Sequence, residues 1–213
     1  MLALAAMTNG SGSVIELAAD GVALRFSKLA DRYSHCFVVE IGTTEVSILR
    51  AYLQDPNAPW PTDPAIQQLV VEPIGPPERP EVALGVGMSG HGHWSLAAQW
   101  VEVPEPGRSA IQLDYACKQR PPVAFLGSTY QVANQGDLES VQLERFEVQD
   151  RHWAGWFVLA GSPTRYKLCV EVIEGQLDWQ AETQRIQVRP VGSLEKPSTL
   201  RWCYRIAWLS CHE

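Results

Sequence analysis

Residues 85–94, Gly-Val-Gly-Met-Ser-Gly-His-Gly-His-Trp, hold the densest set of groups able to do chemistry in this chain. His91 and His93 stand two apart. On a strand they would project from one face, where two imidazoles could share one divalent metal ion. A metal would need both imidazoles neutral and one further protein ligand, for which His152 is the available histidine. Ser95 continues the same face. The glycines at 85, 87, 90 and 92 leave backbone bare, which is useful where a ligand approaches closely. The plainer alternative makes His91, His93 and Ser95 the solvated side of a strand whose other side carries Trp94, Leu96, Ala98 and Trp100. A second candidate is Gly127-Ser-Thr-Tyr-Gln131, read either as a strand with a glycine bulge or as a ligand rim that includes Tyr130. The candidate ligand-binding set is therefore His91, His93, Ser95 and Tyr130, with His91 and His93 as the metal pair. No catalytic residue is assigned. His35 and Cys36 are adjacent on a strand, face opposite sides and cannot form a nucleophile–base dyad. The chain has no Gly-x-Ser-x-Gly, His-Glu-x-x-His, P-loop or Cys-x-x-Cys motif.

Three resemblances attach to the same stretch. Gly85, then five residues, then His91-x-His93 resembles the first half of the cupin signature, which implies a β-barrel enzyme with a divalent metal on those histidines. The chain departs from that pattern: Ala97 or Ala98 stands where the family's glutamate is expected, and the second half of the signature is absent. Gly92-His-Trp94 is similar to the Gly-x-Trp that opens lipocalin-like barrels. That likeness implies a cavity for an apolar ligand, with Arg201 or Arg205 packed over the tryptophan. Gly85-x-Gly87-x-x-Gly90 has the form of a dinucleotide fingerprint. Its following residues alternate at period two up to Pro104 and no second βαβ unit follows, so a nucleotide site is not expected.

The elements that would position these groups are strands. Eight tryptophans, seven of them after residue 90, are punctuated by 16 glycines and 15 prolines. Strand-like runs cover about 82–87, 93–103, 109–118, 122–132, 139–148, 153–160, 165–174, 183–190 and 199–210. Ile111, Leu113, Tyr115 and Cys117 oppose Gln112, Asp114 and Ala116; Leu200, Trp202, Tyr204, Ile206 and Trp208 oppose Arg201, Cys203, Arg205 and Ala207. The apolar phase slips by one residue between Leu143 and Phe146, where a β-bulge would restore it. Earlier, His35, Phe37, Val39 and Ile41 share a face and pair with 46–52 as a hairpin through Gly42-Thr43. Residues 54–64 and 73–81 are proline-rich loops. Short helices are expected near 27–32 and 65–71, with Ile66 to Val71 open to a short strand as the alternative.

The fold class expected is all-β, an antiparallel β-barrel or β-sandwich of about 8–12 short strands with one or two short helices. A single domain spans 1–213. Residues 1–13 are its tail, and the hairpin and loops of 14–80 pack on an 82–213 barrel or sandwich, either extending its sheets or crossing one end.

Composition removes several function classes. Seventeen Lys+Arg against 24 Asp+Glu give a net charge of −7 without any basic run, so neither nucleic acid nor a membrane surface is an expected partner. No run approaches the roughly 20 apolar residues of a membrane span. The apolar opening of seven residues lacks a basic lead and is not expected to be a signal peptide. Five cysteines in irregular spacing are expected to be reduced, which points to a cytoplasmic protein. The functional expectation is a soluble, non-catalytic β-domain that binds a small apolar ligand or a protein partner. The alternatives are a cupin-like metal enzyme using His91 and His93, and a structural protein whose surplus aromatics form a homodimer interface. No cofactor beyond a divalent metal is implied.

Overall fold

Alternation at period two buries one face of a strand and wets the other, so the strands of this chain need a second apolar layer to close on. The computed structural model describes residues 14–19, 21–41, 44–55, 58, 60–102, 109–133, 141–159 and 164–211. The expected tail at 1–13 and the turn at Gly42-Thr43 lie outside the described residues. Fifteen strands follow in order among the described residues: β1 (Val14–Ala19), β2 (Val22–Leu29), β3 (Arg32–Ile41), β4 (Thr44–Ala51), β5 (Gln68–Pro73), β6 (Glu81–Ser89), β7 (Gly92–Glu102), β8 (Ser109–Gln119), β9 (Ser128–Val132), β10 (Val141–Gln149), β11 (His152–Leu159), β12 (Arg165–Glu174), β13 (Gln176–Gln180), β14 (Arg185–Arg189) and β15 (Ser198–Cys211).

They form two antiparallel sheets. One has seven strands in the order β1-β2-β3-β4-β9-β14-β13, the other eight in the order β10-β11-β12-β15-β8-β7-β6-β5. Among the described residues both sheets end in open edges, so the fold is sandwich-like and not a closed barrel. Residues 14–51 thus supply more than half of one sheet and do not lie across an end. The bulge expected between Leu143 and Phe146 is there, as a register shift between Leu143 and Arg145 opposite β11.

The expected helices are absent: no described residue is helical. Residues 27–32 instead contain the β2–β3 hairpin turn, where Leu29 pairs with Arg32 and Ala30 takes a positive φ of 56°. Residues 68–73 are β5, paired antiparallel with β6. No helix among the described residues is long and apolar enough to cross a membrane.

The two inner faces meet in one cluster. Leu24, Phe26, Phe37, Val39 and Leu49 come from the seven-stranded sheet, and Leu96, Leu113, Val170 and Ile206 from the other. Trp94, Trp100 and Trp202 are buried in it and Trp208 packs against it, on the faces that their alternation assigns. Cys36, Cys117, Cys169 and Cys203 carry free thiols.

Candidate functional site

The loop from β4 to β5 crosses from one sheet to the other, and this crossing shapes the interior. Its residues 60–66, Trp-Pro-Thr-Asp-Pro-Ala-Ile, are rigid because two prolines fix φ. Trp60, Asp63, Ala65 and Ile66 are all buried. Ile66 forms an antiparallel bridge with Tyr33, and the Gln67 amide donates to the Val86 carbonyl at 2.9 Å. This loop lies on the bare backbone of the glycine-rich β6–β7 hairpin. A Cβ on Gly87 would stand 1.9 Å from the Ala65 carbonyl oxygen; one on Gly92, 2.8 Å from the Trp60 ring; one on Gly85, 2.7 Å from Ile66 Cγ2. The glycines do admit a close approach, and what approaches is the chain's own loop.

The same crossing carries Asp63 to a buried polar cluster that joins the sheets. His35 (β3) and Tyr130 (β9) point inward from the seven-stranded sheet, and Tyr115 (β8), Trp202 and Tyr204 (β15) from the other. His35 Nε2 and the Tyr130 hydroxyl are 2.6 Å apart, and the Tyr130 and Tyr204 hydroxyls 2.5 Å. Trp202 Nε1 donates to Ser128 Oγ at 3.0 Å. Asp63 Oδ1 stands 3.9 Å from His35 Nδ1, beyond hydrogen-bond reach, and has no other hydrogen-bond partner. Aromatic rings enclose these groups in a continuous series. Trp60, Trp94, Trp202, Tyr115, Tyr204, Tyr130, His35 and Phe26 follow one another at centroid spacings of 5.3–6.3 Å.

Burial controls the protonation of the cluster. It pushes His35 down to about 4 from 6.5, so the ring is neutral at pH 7. It holds Asp63 well above the usual carboxylate range, with the Arg32 charge pulling the other way. The Tyr115, Tyr130 and Tyr204 hydroxyls are likewise raised by burial. An acid, an imidazole and hydroxyls in file have the composition of an acid–base relay. Here His35 is 6% exposed, Asp63 3% and Tyr130 1%, so these groups are shielded from solvent. The cluster works as a polar joint between the sheets.

The residues singled out in the sequence are not brought together. His91, in the β6–β7 turn, and His93 and Ser95, on β7, are exposed on the outer face. His93 pairs with Met88 on one side and Lys118 on the other. His152 begins β11, four strands away from β7 in the sheet order, a separation of about 19 Å at strand spacing before any offset along the strands. It is out of reach as a third ligand. Among the described residues no group of three or more His, Cys, Asp or Glu side chains is placed to hold a metal ion. Tyr130 sits inside the polar joint on the far side of the core from that outer face. Sequence reasoning gave no role to His35, Tyr204 or Asp63. His35 and Tyr204 carried a signal, being polar groups in phase with apolar neighbours on their strands. Asp63, in a proline-rich loop, carried none.

The outer face of β2–β4 is different in kind. Arg25, Ser27, Ser34, Glu45, Ser47 and Arg50, together with Cys36, are among the residues lining a concavity of about 440 Å³. Arg25 is pinned by Glu16 at 2.7 Å and by Glu45 at 2.9 Å. Arg50 Nε donates to Ser47 Oγ at 3.2 Å. Burial pushes the Cys36 thiol up, away from thiolate chemistry. The chain matches no protein-family model and no curated protein sequence.

Proposed function

We propose that this protein is a non-catalytic recognition module that binds an acidic segment of a partner protein on the outer face of β2–β4. The observation that carries the reading is the cover over the groups that could do chemistry. The bare glycine backbone is already covered by Trp60–Ile66, and the buried polar groups are enclosed by aromatic rings. An internal carrier would need a cavity among the tryptophans, and an enzyme would need an approach to Asp63, His35 or Tyr130.

Recognition then falls to the surface. In the concavity Arg25 is held by Glu16 and Glu45, which meet its charge, so it serves as a fixed wall and Arg50 carries the recognition. Arg50 brings a planar fork of donors suited to a carboxylate, and Ser27, Ser34 and Ser47 bring hydroxyls. The test is an NMR titration of the labelled protein with an Asp/Ser hexapeptide and, separately, with a Lys/Ser hexapeptide. The acidic peptide is expected to shift the amides of residues 25–27, 34–36 and 47–50, and Arg50→Glu to abolish those shifts. Shifts by the basic peptide alone, or by neither, would overturn the reading. An apolar fluorescent probe that bound one-to-one and quenched the buried tryptophans would favour an internal ligand instead.

A further inference from the structure

We infer that β10 is an interface between two copies of this chain, which pair antiparallel through that edge and extend the eight-stranded sheet across a twofold axis. Among the described residues four edges are open: β1 and β13 in one sheet, β5 and β10 in the other. Three are short, at six, five and six residues, and β5 ends in a proline. Short strands and prolines are devices that discourage edge pairing. β10 is nine residues long and has no proline; beyond its bulge at Leu143/Arg145 it runs regularly and exposed from Arg145 to Gln149.

Its side chains are what a second copy would complement. Phe146 and Val148 each remain 43% exposed although they stand on the inner face of the sheet, in register with Gly155 and Trp153. Phe146 packs one side against Trp179 at a centroid distance of 5.1 Å and leaves the other open. On the outer face Arg145 and Glu147 flank it. An antiparallel self-pairing centred on Phe146 sets Phe146 against its symmetry mate and each Arg145 against the Glu147 of the other copy, giving two cross-strand ion pairs. Moving the centre to 145 or 147 opposes like charges, and a slip by one residue turns the apolar side chains to the wrong face. The Arg145 guanidinium lies over the Trp156 ring of β11, its Cζ 4.2 Å from the ring centroid, and would swing toward the edge to meet Glu147 of the second copy.

Sedimentation across the micromolar range tests this. The unaltered protein is expected to dimerise reversibly. Arg145→Glu and Glu147→Arg, made separately, each oppose like charges twice and are expected to weaken self-association about tenfold or more. Mixed one-to-one, the two variants restore both ion pairs and are expected to form a heterodimer as tight as the original. Phe146→Cys supplies a second readout, because mild oxidation should link two copies at the twofold axis where the unaltered protein is not linked. A monomer at every concentration would overturn the inference. So would a dimer indifferent to both charge reversals, or one that Phe146→Cys does not link.

Discussion

Two of the histidine-bearing strands, β3 and β7, put the same side chain to opposite uses. On β3, His35 points inward, hydrogen-bonds Tyr130 and is stripped of water. On β7, His93 points outward, as does Ser95, and His91 stands exposed in the turn before them. The spacing of His91 and His93 makes them conspicuous in the sequence, whereas His35 stands beside Cys36, which faces away from it. The difference teaches that phase within the strand, not the density of reactive residues, decides which histidine enters a network. It teaches the same of glycine: the bare backbone beside the conspicuous pair serves the loop that delivers Asp63 to the inconspicuous one.

Breaking the contact between the two regions should have the largest effect. Gly87→Ala drives a methyl group into the Ala65 carbonyl, a backbone atom that moves only with the whole loop. A loss of about 3 kcal/mol or more in urea unfolding is expected; a loss under about 1 kcal/mol would mean that the loop gives way easily. The protonation of His35 comes next. Its folded value of about 4 lies below the 6.5 of the unfolded chain, so between these values the folded state binds fewer protons. Stability is therefore lost as pH falls from about 6.5 towards 4, by about 3 kcal/mol. His35→Gln should flatten the unfolding free energy over that window, and an undiminished acid loss in this variant would place the cause elsewhere.

Asp63 acts with the opposite sign. Its raised value makes the folded state the better proton binder, so its contribution is lost as pH rises through that raised value. Asp63→Asn should gain stability on the unaltered protein progressively with pH in thermal melts, and a parallel pair of curves would count against a buried acid. Tyr130→Phe removes the partner of both His35 and Tyr204 and is expected to cost about 1–3 kcal/mol by urea unfolding. A neutral outcome would mean the joint is bridged in another way. The smallest effect belongs to the outer pair. His91→Ala with His93→Ala should change stability by no more than about 0.5 kcal/mol, and a larger loss would give these exposed residues a structural role.

The alternating strands were legible because their signal is local. Trp94 to Trp100, Ile111 to Cys117 and Leu200 to Trp208 declare their buried face within seven to nine residues, and the slip at Leu143 to Phe146 declared its bulge. β5 was not legible, because Leu69-Val-Val71 is a contiguous apolar run too short to distinguish period two from period 3.6. β13 was missed for a related reason: only Leu177 and Trp179 mark its face.

By itself, then, the sequence determined that this is an antiparallel β protein, which side of most strands is buried, and that tryptophans fill the core. Each follows from near-neighbour geometry on a pleated chain. The tertiary structure alone decided that Ser128–Val132 pairs between β4 and β14, that the loop at 60–66 closes over the β6–β7 glycines, and that His35, Asp63, Tyr130 and Tyr204 meet. Tyr130 and Tyr204 are 74 residues apart and His35 and Tyr130 are 95. Such meetings depend on the order in which strands pair and on the path of one crossing loop. Residue type and spacing carry no record of either, because every strand that alternates is locally an equally good partner for any other.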